Sequence, residues 1–318
     1  MTGRFAPSPT GDLHLGNLRT AAVAWLSARS RGDRFIVRME DLDRVQASAA
    51  HEARQLQDLA AIGLDWDGDV VRQSDRFNRY DAAIEELERR ELVYECFCTR
   101  REIREEIESS AQAPHGPPGS YPGTCRDLTP AQRAQRRAAG RDPALRLRSD
   151  GHTIEFADRV LGSVAGQVDD VVLRRSDGVP AYNLAVVIDD DLQGVTEVVR
   201  GDDLASSTPR QILLQRLLGL ATPTYAHVPL VVDVDGERLA KRRGPPMTLP
   251  DLAGIGISNG EVVGWIVASL GRDGALQSRD SVTLRDLVSR FDVSGIPHRP
   301  CPMPRFGRGS TADRSAPH

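Results

Sequence analysis

The chain has 318 residues, of which 40% are hydrophobic and 27% charged, a balance that builds a globular protein with a full core and room for two domains. Its formal charge of -4 argues against a uniformly basic nucleic-acid coat, so a polyanionic partner has to be met by local patches. No apolar run approaches the ~20 residues that span a bilayer, and Met1-Thr2-Gly3-Arg4 opens no charged-then-apolar leader, so the expectation is a soluble, cytoplasmic protein; separately, a monomer is expected.

The first predicted elements are a short strand at Gly3–Ala6, a turn at Pro7-Ser8-Pro9-Thr10-Gly11, and a helix carrying the apolar stripe Leu18, Ala21, Ala22, Trp25 and Leu26. His14-Leu15-Gly16-Asn17 stands at the helix entry. Gly16 lets a nucleotide approach the backbone, the helix N-terminus favours phosphate, and His14 can donate a hydrogen bond to it. A strand at Arg34–Met39 and a helix from about Ala49 to Ile62 come next, and this strand-helix-strand spacing predicts a parallel sheet. Phe77, Tyr80, Ile84 and Leu87 mark a further amphipathic helix.

Four cysteines are too few for a disulfide scaffold in a chain of this size, and Cys96 and Cys98 are too close to pair comfortably. Cys96-Phe97-Cys98 ends the strand-like Leu92-Val93-Tyr94, and a Pro/Gly-rich loop returns to Tyr121-Pro122-Gly123-Thr124-Cys125. Two neighbouring thiolates and a distant third are soft ligands for one zinc ion, which takes a fourth in a tetrahedron; Tyr121 and His115 are the candidates. Cys301, far away in a Pro/Arg-rich tail, is left out of the set. The run Arg133, Arg136, Arg137, Arg141, Arg146, Arg148 is locally very basic, either a solvated helix face or a set of phosphate contacts. Short β-like pieces such as Thr153-Ile154-Glu155-Phe156 follow it.

Ile212 to Leu218 predicts another helix, and Pro229-Leu230-Val231-Val232 a strand. Beyond that strand, Glu237-Arg238-Leu239-Ala240-Lys241-Arg242-Arg243-Gly244 holds the single lysine of a chain with 41 Lys and Arg residues. Where guanidinium meets every other need for a cation, a lone ammonium in a Gly/Pro-bounded basic loop suits a triphosphate, because it is a compact point charge. Ser258-Asn259-Gly260-Glu261 starts a helix bearing Val262, Val263, Ile266, Val267 and Leu270, with Gly271 placed to stop it. The expected divisions are 1–95 and 173–244 as two halves of a catalytic domain, 96–172 as an inserted zinc-bearing subdomain, 245–296 as a helical region, and 297–318 as a disordered tail.

The pairing of an N-terminal strand-HxG-helix with a distant lysine loop resembles the two signatures of class I aminoacyl-tRNA synthetases. The run from Arg4-Phe5-Ala6-Pro7-Ser8-Pro9-Thr10-Gly11 through His14-Leu15-Gly16-Asn17 is similar to the glutamyl branch. So are Met39-Glu40-Asp41-Leu42-Asp43-Arg44, Tyr182-Asn183-Leu184-Ala185-Val186-Val187-Ile188-Asp189-Asp190 and Val199-Arg200-Gly201-Asp202-Asp203-Leu204, so that the resemblance covers roughly residues 3 to 271. The family's Lys-Met-Ser-Lys-Ser loop is altered here: Arg238 stands for the first lysine and Ala240 for the serine, while the second lysine is kept as Lys241.

The resemblance implies an α/β fold with a Rossmann-like parallel sheet, and a ligase that forms glutamyl-adenylate from ATP, with magnesium, and L-glutamate. It implies that Arg4 and Arg200 hold the side-chain carboxylate, Glu40 the α-ammonium, and that Ala6, Ser8 and Tyr182 complete the glutamate site. His14, Gly16, Asn17 and Lys241 would bind ATP, with His14 and Lys241 stabilising the triphosphate during attack. Little chain follows Lys241, too little for an anticodon-binding module. The chain therefore resembles the short paralogues of this branch, which activate glutamate without tRNA and transfer it to the cyclopentenediol of queuosine in tRNA(Asp). That group's zinc pattern matches Cys96, Cys98, Tyr121 and Cys125, which favours Tyr121 over His115. The other readings are a truncated enzyme charging tRNA(Glu) and a non-catalytic RNA-binding synthetase fragment, the latter motivated by the altered loop; nucleotidylyltransferases share the HxG turn but not the long glutamyl run.

Overall fold

A computed structural model describes residues 1–109, 120–233, 236, 247–271 and 282–304. The described elements run β1 (Thr2–Phe5), α1 (Leu15–Arg29), β2 (Arg34–Met39), α2 (Ala49–Ala61), β3 (Val71–Arg72), α3 (Phe77–Arg89), β4 (Val93–Cys96), α4 (Arg100–Ser109), α5 (Pro130–Ala138) and β5 (Ala144–Leu147). They continue with β6 (Thr153–Asp158), β7 (Gly162–Gln167), β8 (Val172–Arg174), α6 (Tyr182–Leu192), β9 (Glu197–Gly201), α7 (Thr208–Leu218), β10 (Thr224–Val228), β11 (Val231–Val232), α8 (Leu249–Gly254), α9 (Asn259–Ser269) and β12 (Cys301–Pro302).

The main sheet has seven strands in the order β3-β2-β1-β9-β10-β6-β7. All neighbours in it are parallel except the β6–β7 hairpin. Chain order reverses between β1 and β9, and open α/β sheets place their ligand crevice outside the carboxyl ends of the strands at such a switch point. One face is covered by α1, α8, α9 and the 3-10 segment Leu284–Arg290, the other by α3, α6 and α7. α1 is buried on almost every side, from Leu15 to Ala28, and its alanines admit the close approach of β1: a Cβ on Gly3 would lie 3.0 Å from that of Ala28. Arg19, buried in the same helix, ties the layers together by donating to Ser269 Oγ (2.9 Å) on α9 and to the Pro229 carbonyl (2.9 Å).

Elements with a strong local signature form where the sequence places them. Ser258 and Glu261 cap α9 reciprocally, and Gly271 follows that helix at φ 74°. Two expected divisions are redrawn by long-range pairing. β6 and β7 lie inside the stretch 96–172, yet β6 joins the main sheet beside β10, with Tyr225 opposite Asp158. Only β4, β5 and β8 make a separate antiparallel sheet. Within the tail expected to be disordered, 297–318, the described residues 297–304 are held by backbone pairing, and the remainder lies outside the described residues. Cys301 N–H donates to the Leu230 carbonyl (2.9 Å) and Met303 N–H to that of Val232 (2.7 Å), so β12 lies along β11. A two-residue strand has no period to detect, and its partner lies some seventy positions away. Among the described residues no helix is long and apolar enough to cross a membrane.

Candidate active site

A cavity of about 630 Å³ opens at the carboxyl ends of β1 and β9. It is lined by Arg4, Ala6, Ser8, His14, Gly16, Asn17, Glu40, Tyr182 and Arg200, among others. Residues from four separate stretches of sequence therefore line one cavity.

The floor is the turn that follows β1. Its carbonyls are taken up by the chain beside it: Glu40 N–H donates to Pro7 O (2.9 Å), Ser48 N–H to Pro9 O (3.0 Å), and the buried Gln55 amide on α2 to Ser8 O (3.0 Å) and Gly11 O (2.6 Å). His14 then caps α1. Its Nδ1 accepts from Gly16 N–H (3.1 Å), and its own N–H donates to Asn17 Oδ1 (3.2 Å). With Nδ1 used as acceptor, the proton of the neutral ring sits on Nε2, where it can be donated to an anion at the helix N-terminus. Burial lowers the His14 pKa from 6.5 and so favours that neutral form. A Cβ on Gly16 would lie 2.9 Å from His14 Cε1, so any larger residue there would have to push the capping imidazole out of place.

Asp58 stands on α2 close to this turn. Burial, reinforced by the charge of Asp12 and opposed by Arg54, lifts its pKa from 3.8 to about 6. A carboxylate raised in the folded state costs stability as pH climbs from its unfolded value through its folded one. Asp58→Asn is therefore expected to raise the urea midpoint at pH 7, by roughly 1–2 kcal/mol of stability, with the gain vanishing by about pH 4. An equal gain at both pH values would show that charge is not the cause.

The wall opposite His14 carries paired charges. Arg4 is buried, with Nε 3.4 Å from Asp190 Oδ1 and Nη1 donating to Val199 O (3.4 Å). Arg38 on β2 has no exposed surface and ties the group together, 2.8 Å from Asp190, 3.3 Å from Glu40 and 2.8 Å from Gln193 Oε1. Asp189, equally buried, accepts from Tyr80 OH (2.7 Å) and Gln73 Nε2 (2.9 Å), with Arg76 Nε 2.8 Å away. Burial raises the Glu40 pKa, with Arg38 and Arg4 working against that rise. Burial pushes Asp190 up as well, but Arg4 and Arg38 outweigh it and hold the group below its ordinary range. Arg200 Nη1 donates to Tyr182 OH (3.3 Å) and Nη2 to Thr208 Oγ1 (2.8 Å). Two guanidiniums and one carboxylate thus face a cavity whose far end is a helix N-terminus, a pattern complementary to a dicarboxylic amino acid beside a phosphate.

A second cluster lies at the edge of the small sheet. The sulfurs of Cys96, Cys98 and Cys125 lie within 4.8 Å of one another. The Tyr121 hydroxyl is 3.4 Å from Cys96 Sγ and 3.7 Å from Cys98 Sγ, and it accepts from Cys125 N–H (2.8 Å). Three neighbouring thiols with a phenol oxygen beside two of them are a donor set that fits a soft, four-coordinate cation. His115 lies outside the described residues. The Arg146 guanidinium stacks 3.8 Å above the Tyr121 ring and donates to Asp170 O (2.7 Å). That fixes Arg146 inside the fold. Arg137 pairs with Glu95, Arg141 with Glu102, and Arg148 lies over Tyr94 while donating to Arg126 O (2.7 Å). Four of the arginines read as a basic run are therefore committed to intramolecular partners, which the sequence hid because those partners are distant.

Of the residues singled out from sequence, the cavity gathers Arg4, Ala6, Ser8, His14, Gly16, Asn17, Glu40, Tyr182 and Arg200, and the second cluster gathers Cys96, Cys98, Tyr121 and Cys125. Lys241 lies outside the described residues. The sequence reading gave no role to Arg38, Gln55, Asp158 or His227. A polar or charged residue inside an otherwise apolar strand, as at Arg38 and His227, was the available signal.

The Rossmann-like sheet, the crevice at its switch point and the HxG helix entry define a nucleotide-binding synthetase core, and the chain belongs to the family described as tRNA synthetases class I (E and Q), catalytic domain, which matches residues 1–255. It is 58% identical over 298 residues to the Glutamyl-Q tRNA(Asp) synthetase of Nocardia farcinica, covering 94% of this chain and 91% of that one. The Glutamyl-Q tRNA(Asp) synthetase of Cutibacterium acnes is 51% identical, over 96% of this chain and 86% of its own length. In fold, the chain is similar to a crystal structure of glutamate-tRNA synthetase from Elizabethkingia anophelis, with a TM-score of 0.77 at 24% identity, covering 96% of this chain and 68% of that one.

Proposed function

We propose that this protein activates L-glutamate with ATP and transfers the glutamyl group to the cyclopentenediol of queuosine at the wobble position of tRNA(Asp), working as a cytoplasmic monomer. The observation that carries the amino-acid half is the cavity in which Arg4 and Arg200 face Glu40 beside the N-terminus of α1. The side-chain carboxylate of glutamate lies between the two guanidiniums, and its ammonium adds to the counter-charge that Arg38 already gives the buried Glu40. The α-carboxylate attacks the α-phosphorus of ATP, giving glutamyl-adenylate and pyrophosphate. A queuosine hydroxyl then attacks the activated carbonyl and releases AMP. His14 Nε2–H and Lys241 hold the phosphates, Gly16 and Asn17 shape the helix entry, and magnesium brought in with ATP would share the triphosphate charge. Catalysis rests on positioning and charge stabilisation, with no protein nucleophile. The tRNA half is supported by the relatives named Glutamyl-Q tRNA(Asp) synthetase, which this chain matches over most of their length.

Glutamate-dependent ATP–pyrophosphate exchange without tRNA, followed by transfer to tRNA(Asp) with and without queuosine, tests both halves. Exchange is expected with no tRNA present, and transfer only to the queuosine-bearing form. Charging of tRNA(Glu) at its acceptor end would overturn the tRNA half, and absence of exchange would overturn the first.

Zinc is the group proposed for Cys96, Cys98, Tyr121 and Cys125. When bound it would tie the loop that carries Tyr121 to the end of β4. Metal analysis of purified protein is expected to return one zinc per chain, and Cys98→Ser to lower both metal content and thermal stability; unchanged content would remove Cys98 from the set.

A further inference from the structure

Arg4 and Arg200 face the same cavity but are held differently. Arg4 is paired directly with a carboxylate, Asp190. Among the described residues no carboxylate lies within ion-pair distance of Arg200, whose Nε instead donates to His227 Nε2 (3.1 Å). The two residues are register partners on β9 and β10. Behind them β6 brings Asp158, with Oδ2 2.6 Å from His227 Nδ1, and neither side chain has any exposed surface. The imidazole is sandwiched as well, stacked on Tyr225 at 6.0 Å and met edge-on by Phe156 at 6.2 Å.

The hydrogen-bond chemistry of this chain has one solution. A guanidinium is always charged and only donates, so His227 Nε2 must accept. The proton of the neutral ring then sits on Nδ1 and is donated to Asp158. Burial keeps the ring neutral by lowering its pKa, with Asp158 opposing. The arrangement grips Arg200 without cancelling its charge. A carboxylate placed directly on the guanidinium would pair with it as the ligand does, whereas a neutral imidazole orients it and leaves the charge for the ligand.

We propose that Asp158 and His227 are positioning residues for Arg200, fixing its guanidinium so that Nη1, beside the Tyr182 hydroxyl, is presented to the carboxylate of the amino-acid substrate. This rests on the reading of the cavity as an amino-acid site. It also gives a reason for β6 to join the main sheet, since that pairing is what delivers Asp158.

Three variants and one spectrum test it. His227→Leu removes the acceptor and is expected to raise the KM for glutamate in pyrophosphate exchange by about tenfold or more, with the KM for ATP unchanged. His227→Gln offers an amide oxygen to Arg200 and an amide N–H to Asp158, and is expected to restore most of the loss. In Asp158→Asn, the amides of Val160 and Leu161, each 2.9 Å from Oδ1, keep an acceptor oxygen at that place. The new NH2 then faces His227 Nδ1, the ring proton moves to Nε2, and donor meets donor at Arg200. Nitrogen-15 spectra of the imidazoles should accordingly show His227 protonated on Nδ1 in the natural protein and on Nε2 in Asp158→Asn, a change that a merely structural role does not produce. A natural protein protonated on Nε2, or unchanged glutamate KM in His227→Leu and Asp158→Asn, overturns the proposal. Absence of any glutamate-dependent exchange in the natural protein would overturn the amino-acid reading instead, and the spectra would still decide the hydrogen-bond chain.

Discussion

Arg38→Met is expected to lose about 3–5 kcal/mol of folding stability, because removing one partner of a buried ion cluster leaves the others uncompensated. Arg38 is wholly buried and its guanidinium is shared among Asp190, Glu40 and Gln193, with Asp189 close behind at 3.8 Å. Methionine fills much the same volume, so the change is one of charge rather than of packing. Arg38→Lys rescues little, since a single ammonium cannot hold three acceptors set around a planar fork. Chemical denaturation decides the point: the midpoint should fall while the slope stays constant. A loss below about 1 kcal/mol, the range of an exposed pair, would show that water reaches the cluster. Protein that remains folded should also bind glutamate poorly, because Arg4 and Glu40 are oriented through the same network.

Lys241→Ala is expected to reduce pyrophosphate exchange by about 10²–10³-fold, the usual cost of losing one group aimed at developing charge. Lys241→Arg should remain severely impaired, because a broad fork does not replace a point charge between phosphate oxygens. Lys241 itself is outside the described residues, but the chain on either side is anchored at the cavity. Val231 lines it, and the chain returns where Leu15 N–H donates to Met247 O (3.0 Å) and Thr248 pairs with His14. As the only lysine in the chain, it also offers a direct measurement. An amine-directed reagent should modify it, with ATP protecting it. Full activity of the arginine variant would return the lone lysine to compositional bias.

The helix entry and the cysteine cluster were legible because they sit in local patterns, and the glutamate-site residues because the short runs that hold them resemble a known family. His14 and Gly16 belong to one tight helix entry, Arg4 and Ser8 lie a few positions apart on a strand and its turn, and Cys96 and Cys98 flank a single residue. What was not legible is the layer behind them. Arg38 meets Asp190 and Gln193 across some 150 positions, and His227 meets Asp158 across 69. The arginine run from 133 to 148 shows the same limit from the other side, for it read as a surface patch until Glu95, Glu102, Tyr94 and Tyr121 were seen to occupy it.

The sequence by itself determined the parallel-sheet class and the strongly periodic or capped helices α1, α2, α3, α7 and α9, because periodicity and caps act over a few residues, while the groups facing the cavity were named through the family resemblance of short motifs. The tertiary structure alone decided which strands are neighbours. It set β6 against β10 and β12 along β11, and so chose which buried partners orient Arg4, Glu40 and Arg200. Strand pairing depends on long-range register between backbones that carry the same donors and acceptors everywhere, and no local pattern of side chains specifies it.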